Sequence, residues 1–331
     1  MPRSDRTFTP SPAQVATWPR VSGNAVNGLG EQSHRRPTPI FWHQPERIAH
    51  GALQTWYYAR WDRQPRLKDF DRKFGGRGER RPAPIAPDRV NDTPERWAAA
   101  VKAFALANEA DLVGIAPLDP RWVFEGYEVG APWIVILGVA MDQPRLATAP
   151  YDLESPIEVM TQYNRGTRAA RALANWIRGR GFAAEPHGGP NAGPVNLIPP
   201  ALAAGFGELG KHGSIINRTY GSSFRLAAVT TELPLVADAP DDFAATDFCA
   251  RCQVCTKACP VDAIGPDKPW VRGERKWYVD FDKCFSFFAE TYGCGICIAV
   301  CPYSAPGAAP TLAEKMLRRR AVKALRAGEP G

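Results

Sequence analysis

At 331 residues the chain has the length of about two domains, and its net charge of +7 is only a mild basic excess. A content of 44% hydrophobic and 23% charged residues excludes a disordered chain. No apolar run approaches the ~18 residues of a spanning helix. The opening residues, MPRSDRTFTPSPAQ, have neither an apolar core nor a twin arginine, so the sequence predicts a cytoplasmic protein with no membrane span.

Residues 1–93 are rich in Pro, Arg and aromatic side chains and show little periodicity. They read as an irregular arm wrapped over a core, with one helix near 48–60 and an extended segment at 80–87 (RRPAPIAP). Thr93-Pro94 reads as a cap with Pro at the first helical position. Residues 112–116 (LVGIA), 133–140 (WIVILGVA) and 225–231 (RLAAVTT) read as buried strands. Ser155-Pro156 opens a long helix to about Arg180, with Gly181 as its stop and Ala169, Ala170, Leu173, Trp176 and Ile177 as its apolar stripe. The division expected is an α/β core at 94–240, a cysteine-rich module at 241–306 and a basic helix within 307–331. The basic run at 315–326 (KMLRRRAVKALR) reads as a solvated face rather than a nucleic-acid surface, because no recognition motif accompanies it.

Gly205, Gly207 and Gly210 match G-x-G-x-x-G, yet a dinucleotide site needs a strand before the motif and a helix after it. Here two prolines and small helix formers precede it and a glycine-broken stretch follows, which argues against that use.

All eight cysteines fall after residue 248. The first four read C-x2-C-x2-C-x3-C-P (Cys249, Cys252, Cys255, Cys259), and Cys284 precedes a second C-x2-C-x3-C-P (Cys294, Cys297, Cys301). The first run is the bacterial ferredoxin pattern, in which the fourth cysteine serves the other cluster. It predicts Cys249, Cys252, Cys255 and Cys301 on one [4Fe–4S] cluster and Cys259, Cys284, Cys294 and Cys297 on the second. Two intervening residues let a turn aim successive thiolates at one cube; three swing the next thiolate towards its neighbour, and Pro260 and Pro302 stop the turn. Thiolates also suit zinc, but a zinc reading leaves the doubled x3-C-P unexplained.

The stretches GFGELGKHG and YGSSFRLAAVTTELPLVADAP, running into FCARCQVCTKACP (205–260), together with KCFSFFAETYGCGICIAVCPYS (283–304), resemble the corrinoid iron–sulfur reductive dehalogenases, above all their soluble, non-respiratory branch. Epoxyqueuosine reductase is a more distant relative. The resemblance implies an α/β (α+β) fold with a nitroreductase-like cobalamin-binding core and a C-terminal ferredoxin-like two-cluster module. It also implies reductive cleavage of a carbon–halogen bond, of a halogenated aromatic above all, with base-off cobalamin that takes no protein histidine. In the family a Tyr donates the proton and a cation some sixty residues on depresses its pKa; Tyr163 and Arg225 stand at matching places. Asn196 is a candidate for polarising the substrate or contacting the corrin. Tyr220, Gly221 and Ser222 are candidates for backbone contacts to the corrin, since glycine admits close approach. Lys211 stands where the family usually carries Arg, Val159 where a hydroxyl residue is common, and Glu232 replaces the usual Asp. With no convincing flavin or nicotinamide motif in the chain, an external ferredoxin or flavodoxin is the expected electron donor. An epoxyqueuosine-reductase-like enzyme and a non-catalytic two-cluster carrier are the alternatives. The first uses an Asp acid where this helix offers Tyr163; the second has no need of a large α/β domain.

Overall fold

The computed structural model describes residues 8–74, 82–189 and 193–327. The first seven residues, which bear on the export-signal reading, and Arg80 and Arg81 of the Pro-rich segment lie outside them. A four-stranded antiparallel sheet forms the centre, in the order Leu112–Pro117, Trp133–Ala140, Phe224–Thr231, Ala184–His187. The two middle strands pair over their full length, with Trp133 opposite Thr231 and Ala140 opposite Phe224. Their apolar runs are nearly continuous because both faces of the sheet are covered.

One face carries the long helix Glu154–Arg178 and the helix Pro94–Ala107, whose first turn is capped by the Thr93 hydroxyl. Val101, Leu173 and Ile177 are fully buried there with Val135 and Val229. Truncating such a leucine or isoleucine to alanine costs about 2–5 kcal/mol. The other face is covered by Val123, Val195, Ala201 and Phe206. The long helix lies close to the sheet at Gly166, where an added Cβ would sit 3.2 Å from the Ala227 Cβ. Tyr163 is one helical turn earlier on that face, and Arg225 is two residues earlier on the same face of the strand. The close approach at Gly166 therefore sets where those two side chains meet.

The N-terminal region contains two consecutive helices, Gly51–Arg63 and Pro65–Phe74. It clasps the helix Phe281–Glu290: the Gly23 N–H donates to Asp282 (2.8 Å), Asn24 Nδ2 to Asp280 (2.9 Å), and Gln14 Nε2 to the Ser286 carbonyl (2.8 Å). An aromatic cluster of Phe41, Tyr57 and Phe285, joined by Trp42, Trp61 and Phe288, fills the junction. The C-terminal helix spans Ala308–Ala327. Among the described residues no helix is long and apolar enough to cross a membrane.

The stretch from Gly205 to Gly210 is no strand-to-helix turn. Glu208–Leu209 pairs with Ile215–Ile216 as a small hairpin, and Gly207 takes a φ of +117° with the Ile216 carbonyl oxygen 2.0 Å from where a Cβ would be.

Candidate active site and cysteine module

Short helices present the cysteines. Ala245–Arg251 carries Cys249 and ends at Cys252, Val254–Ala258 carries Cys255 and ends at Cys259, Phe281–Glu290 carries Cys284, and Ile296–Ala299 carries Cys297. All eight thiols are free. Thiols of the two sequence runs come together: Cys301 shares an apolar cluster with Cys249, and Cys284 and Cys297 share another with Cys255 and Cys259. The spacing predicts a first quartet of Cys249, Cys252, Cys255 and Cys301 and a second of Cys259, Cys284, Cys294 and Cys297. Cys301 is pushed up to about 12, by burial first and then by Cys249 and Cys255. Cys249 in turn is pushed up to about 11 by burial, with Cys255 and Cys252 adding to it. On the other side Cys284 rises to about 12 through burial and then Cys294 and Cys259, and Cys294 to about 11 with Cys259 its thiol neighbour. Cys297 is raised well above the usual thiol range by burial and then by Cys284, Cys294, Cys255 and Cys259. Such thiols ionise only when a partner takes the charge, as iron does.

Two residues of the small hairpin serve the first quartet. The Glu208 carboxylate accepts from the N–H groups of Phe243 (3.1 Å), Ala245 (2.6 Å) and Thr246 (3.0 Å), satisfying the open start of the helix that carries Cys249. Lys211 is 1% exposed, donates from Nζ to the Cys252 carbonyl (2.9 Å) and lies 5.0 Å from the centre of the Trp277 ring. Among the described residues it meets no carboxylate. Its charge instead bears on Cys249 and Cys255, lowering both thiols against the effect of burial. Neither role shows in a sequence pattern beyond the presence of a Glu and a cation in G-E-x-G-K.

A cavity of about 1350 Å³ separates the α/β core from the module. It exceeds the ~300–1,000 Å³ of ordinary small-molecule pockets. Cys259, Cys284, Cys294 and Cys297 line one end, while Tyr163, Asn164 and Arg225 line the core side. Arg225 Cζ lies 5.5 Å from the centre of the Tyr163 ring. Arg225 Nε and Asn164 Nδ2 are buried with no hydrogen-bond partner among the described residues, a costly condition unless something entering the cavity accepts from them. Trp42, Tyr57, Tyr58 and Trp61 of the N-terminal region close the remaining wall with Phe288. His43 also faces the cavity; its Nδ1 is 3.4 Å from the Tyr127 hydroxyl, and burial followed by Arg47 pushes it below its ordinary value. The donor set fits iron–sulfur cubes, and the volume with its orphaned donors fits a large polar cofactor.

Four other residues singled out from sequence stand apart from the cavity lining described here. Asn196 Oδ1 accepts from the Ile198 N–H (3.3 Å) at the start of the helix Ile198–Ala203. Tyr220 packs against the apolar cluster around Phe206 and Phe224. Gly221 abuts the turn after Cys301, where a Cβ would fall 2.0 Å from the Tyr303 carbonyl oxygen. Ser222 is fully buried; its N–H donates to Ser304 Oγ (3.2 Å) and its hydroxyl contacts His212 Nε2 (3.2 Å).

Residues 248–305 match the 4Fe-4S dicluster domain, so the module is an iron–sulfur domain of ferredoxin type. The tetrachloroethene reductive dehalogenase of Sulfurospirillum multivorans is 30% identical over 272 residues, covering 67% of this chain and 54% of that protein. The chain belongs with the reductive dehalogenases. It spans about half the length of that relative. The solved structure of the catabolic reductive dehalogenase NpRdhA in complex with 3-bromo-4-hydroxybenzoic acid shares the fold, with a TM-score of 0.72 and 23% identity over 94% of this chain and 48% of that one. An epoxyqueuosine reductase of Leadbetterella byssophila is similar over a shorter stretch, 35% identical over 121 residues, covering 31% of this chain and 35% of that protein.

Proposed function

We propose that the protein is a cobalamin-dependent reductive dehalogenase that replaces a carbon-bound halogen, in a halogenated aromatic above all, by hydrogen. The observation that carries this reading is the single cavity bounded by Tyr163 and Arg225 at one side and four cysteines at the other. Overall, the organic halide takes up two electrons and one proton and releases halide. Cobalamin, when bound, would supply the strongly reducing centre that the carbon–halogen bond requires.

The chain's own residues have separable tasks. Cys249, Cys252, Cys255 and Cys301 would hold one [4Fe–4S] cluster, and Cys259, Cys284, Cys294 and Cys297 the other at the cavity wall. Such clusters would supply single electrons, with an external ferredoxin or flavodoxin as the donor. The Tyr163 hydroxyl delivers the proton to carbon, and the Arg225 guanidinium stabilises the negative charge left on the oxygen. Arg225 Nε and Asn164 Nδ2 donate to acceptors of the bound molecules. The aromatic wall of Trp42, Tyr57 and Trp61 excludes water from the developing carbanion.

Anaerobic reconstitution with iron, sulfide and cobalamin, followed by EPR and a halide-release screen over halophenols, tests the reading. The wild type should retain cobalamin and release halide. Tyr163→Phe should lower turnover by about 10²–10⁴-fold with cobalamin content and cluster EPR unchanged. Full turnover in that variant would remove Tyr163 as the acid, and a wild type that retains no cobalamin would leave a simple electron carrier.

A further inference from the structure

We propose that the outward face of the helix Ala308–Ala327 is the docking surface for a small acidic electron-carrier protein. The inference rests on the two-cluster reading above and locates where electrons enter. The inner side of the helix packs beside two cysteines of the first quartet: Ala309, Ala313 and Met316 are at most 3% exposed, and the two alanines share one apolar cluster with Cys249, Cys301 and Tyr303. The outer side is a cationic stripe. Lys315, Arg319, Lys323 and Arg326 follow one another at helical spacing, with Arg318 beside them, and all five are exposed. They line a shallow groove together with Thr311 and Val322.

The helix holds six basic residues against Glu314 alone, a net +5 in a chain whose total is +7. Arg320 is spent on anchoring, paired with Asp242 at 2.8 Å and near Asp247 at 3.9 Å, and Arg318 lies 3.6 Å from Glu314. Among the described residues the other four meet no carboxylate. Like charges one turn apart destabilise a helix, so a stripe kept only for solubility would alternate its signs. A field of one sign instead attracts and orients an oppositely charged partner. Its position directly outside the quartet remote from the cavity suits a carrier that must reach a cluster without obstructing substrate.

The test uses the full chain loaded with iron–sulfur clusters and reads cluster reduction by stopped flow. The probe is an acidic ferredoxin, with photoreduced deazaflavin as a small reductant that needs no docking surface. In the wild type the ferredoxin rate should fall as salt is raised. Combined Lys315→Glu, Arg319→Glu and Lys323→Glu changes should lower it about tenfold or more while the deazaflavin rate and cluster EPR stay unchanged. The milder pair Arg319→Gln and Lys323→Gln should give a smaller loss of the same kind. An unchanged, salt-insensitive ferredoxin rate in both variants overturns the proposal. So does a variant that keeps this rate but loses salt-sensitive tRNA binding, which would give the face to nucleic acid. Failure of deazaflavin to reduce any cluster in the wild type would instead overturn the two-cluster reading, and the docking site with it.

Discussion

Cys259, Cys284, Cys294 and Cys297 all face the large cavity, whereas Cys249, Cys252, Cys255 and Cys301 stand off its lining; Cys249 and Cys301 pack with the hairpin and the C-terminal helix, and Cys255 packs with Cys259 and Ile264 between the two groups. The first group has aromatic and apolar neighbours, Phe288 and Ile264 among them; the second has the buried ammonium of Lys211. Sequence symmetry makes the two half-motifs look equivalent, and the surroundings make them different. On the proposed function, the quartet with positive charge beneath and around it receives electrons from outside, and the other hands them to whatever fills the cavity.

The strongest way to break this comparison is to remove one thiol from each group. Cys301→Ala should abolish the cluster under the C-terminal helix and spare the cavity-facing one, although Cys301 lies in the second sequence run; Cys259→Ala should do the reverse. EPR and iron content read the outcome, and both variants should lose turnover. Loss of the cavity-side signal in Cys301→Ala would undo the exchange of ligands between runs.

Acid offers a second, smaller perturbation, beside the first quartet. Burial holds His212 down at about 4, and its Nδ1 accepts from the Ser214 N–H (3.2 Å) while Nε2 meets Ser222 Oγ. The unfolded chain takes up this proton near the ordinary value of 6.5, so in that window it binds more protons than the native state. The contribution is fully present above pH 6.5 and is lost as pH falls towards 4, amounting to ~3 kcal/mol. Denaturant midpoints should show the decline, and His212→Gln should flatten it relative to the wild type. An identical slope in both would assign the acid sensitivity elsewhere.

The smallest expected effect is the most informative about asymmetry. Lys211→Met removes a positive charge beside the first quartet and should make that cluster harder to reduce, with the cavity-side cluster barely altered. Redox titration followed by EPR reads the two midpoints separately. Lys211→Arg should restore most of the wild-type value, and equal shifts in both clusters would show that Lys211 acts on the fold rather than on one site.

Much of this was legible in the residues. The central strand Trp133–Ala140 is an unbroken apolar run, and 225–231 gains only Phe224 in the structure. The long helix runs Glu154–Arg178, close to the reading from Ser155 to Arg180. The cysteine spacing marked the iron–sulfur module, which the 4Fe-4S dicluster domain covers at 248–305. The fourth strand, Ala184–His187, left no signal, being four residues at an edge with Pro186 among them. The aromatic wall was equally hidden, because Trp42 and Tyr57 are placed by Phe288 and Phe285 far along the chain rather than by any local period. At Gly221 the signal of a close approach is met by a protein carbonyl, that of Tyr303, which the sequence alone could not have named.

The Glu208 side chain fastens a hairpin of the α/β core to three amides at the mouth of the Cys249 helix. If the first quartet takes iron as proposed, that rivet ties maturation of the metal centre to consolidation of the core. Iron loading should stiffen the hairpin, and a loosened hairpin should leave the first quartet slow to mineralise. On the proposed reading the two halves of the polypeptide are partners in assembly as well as in electron flow.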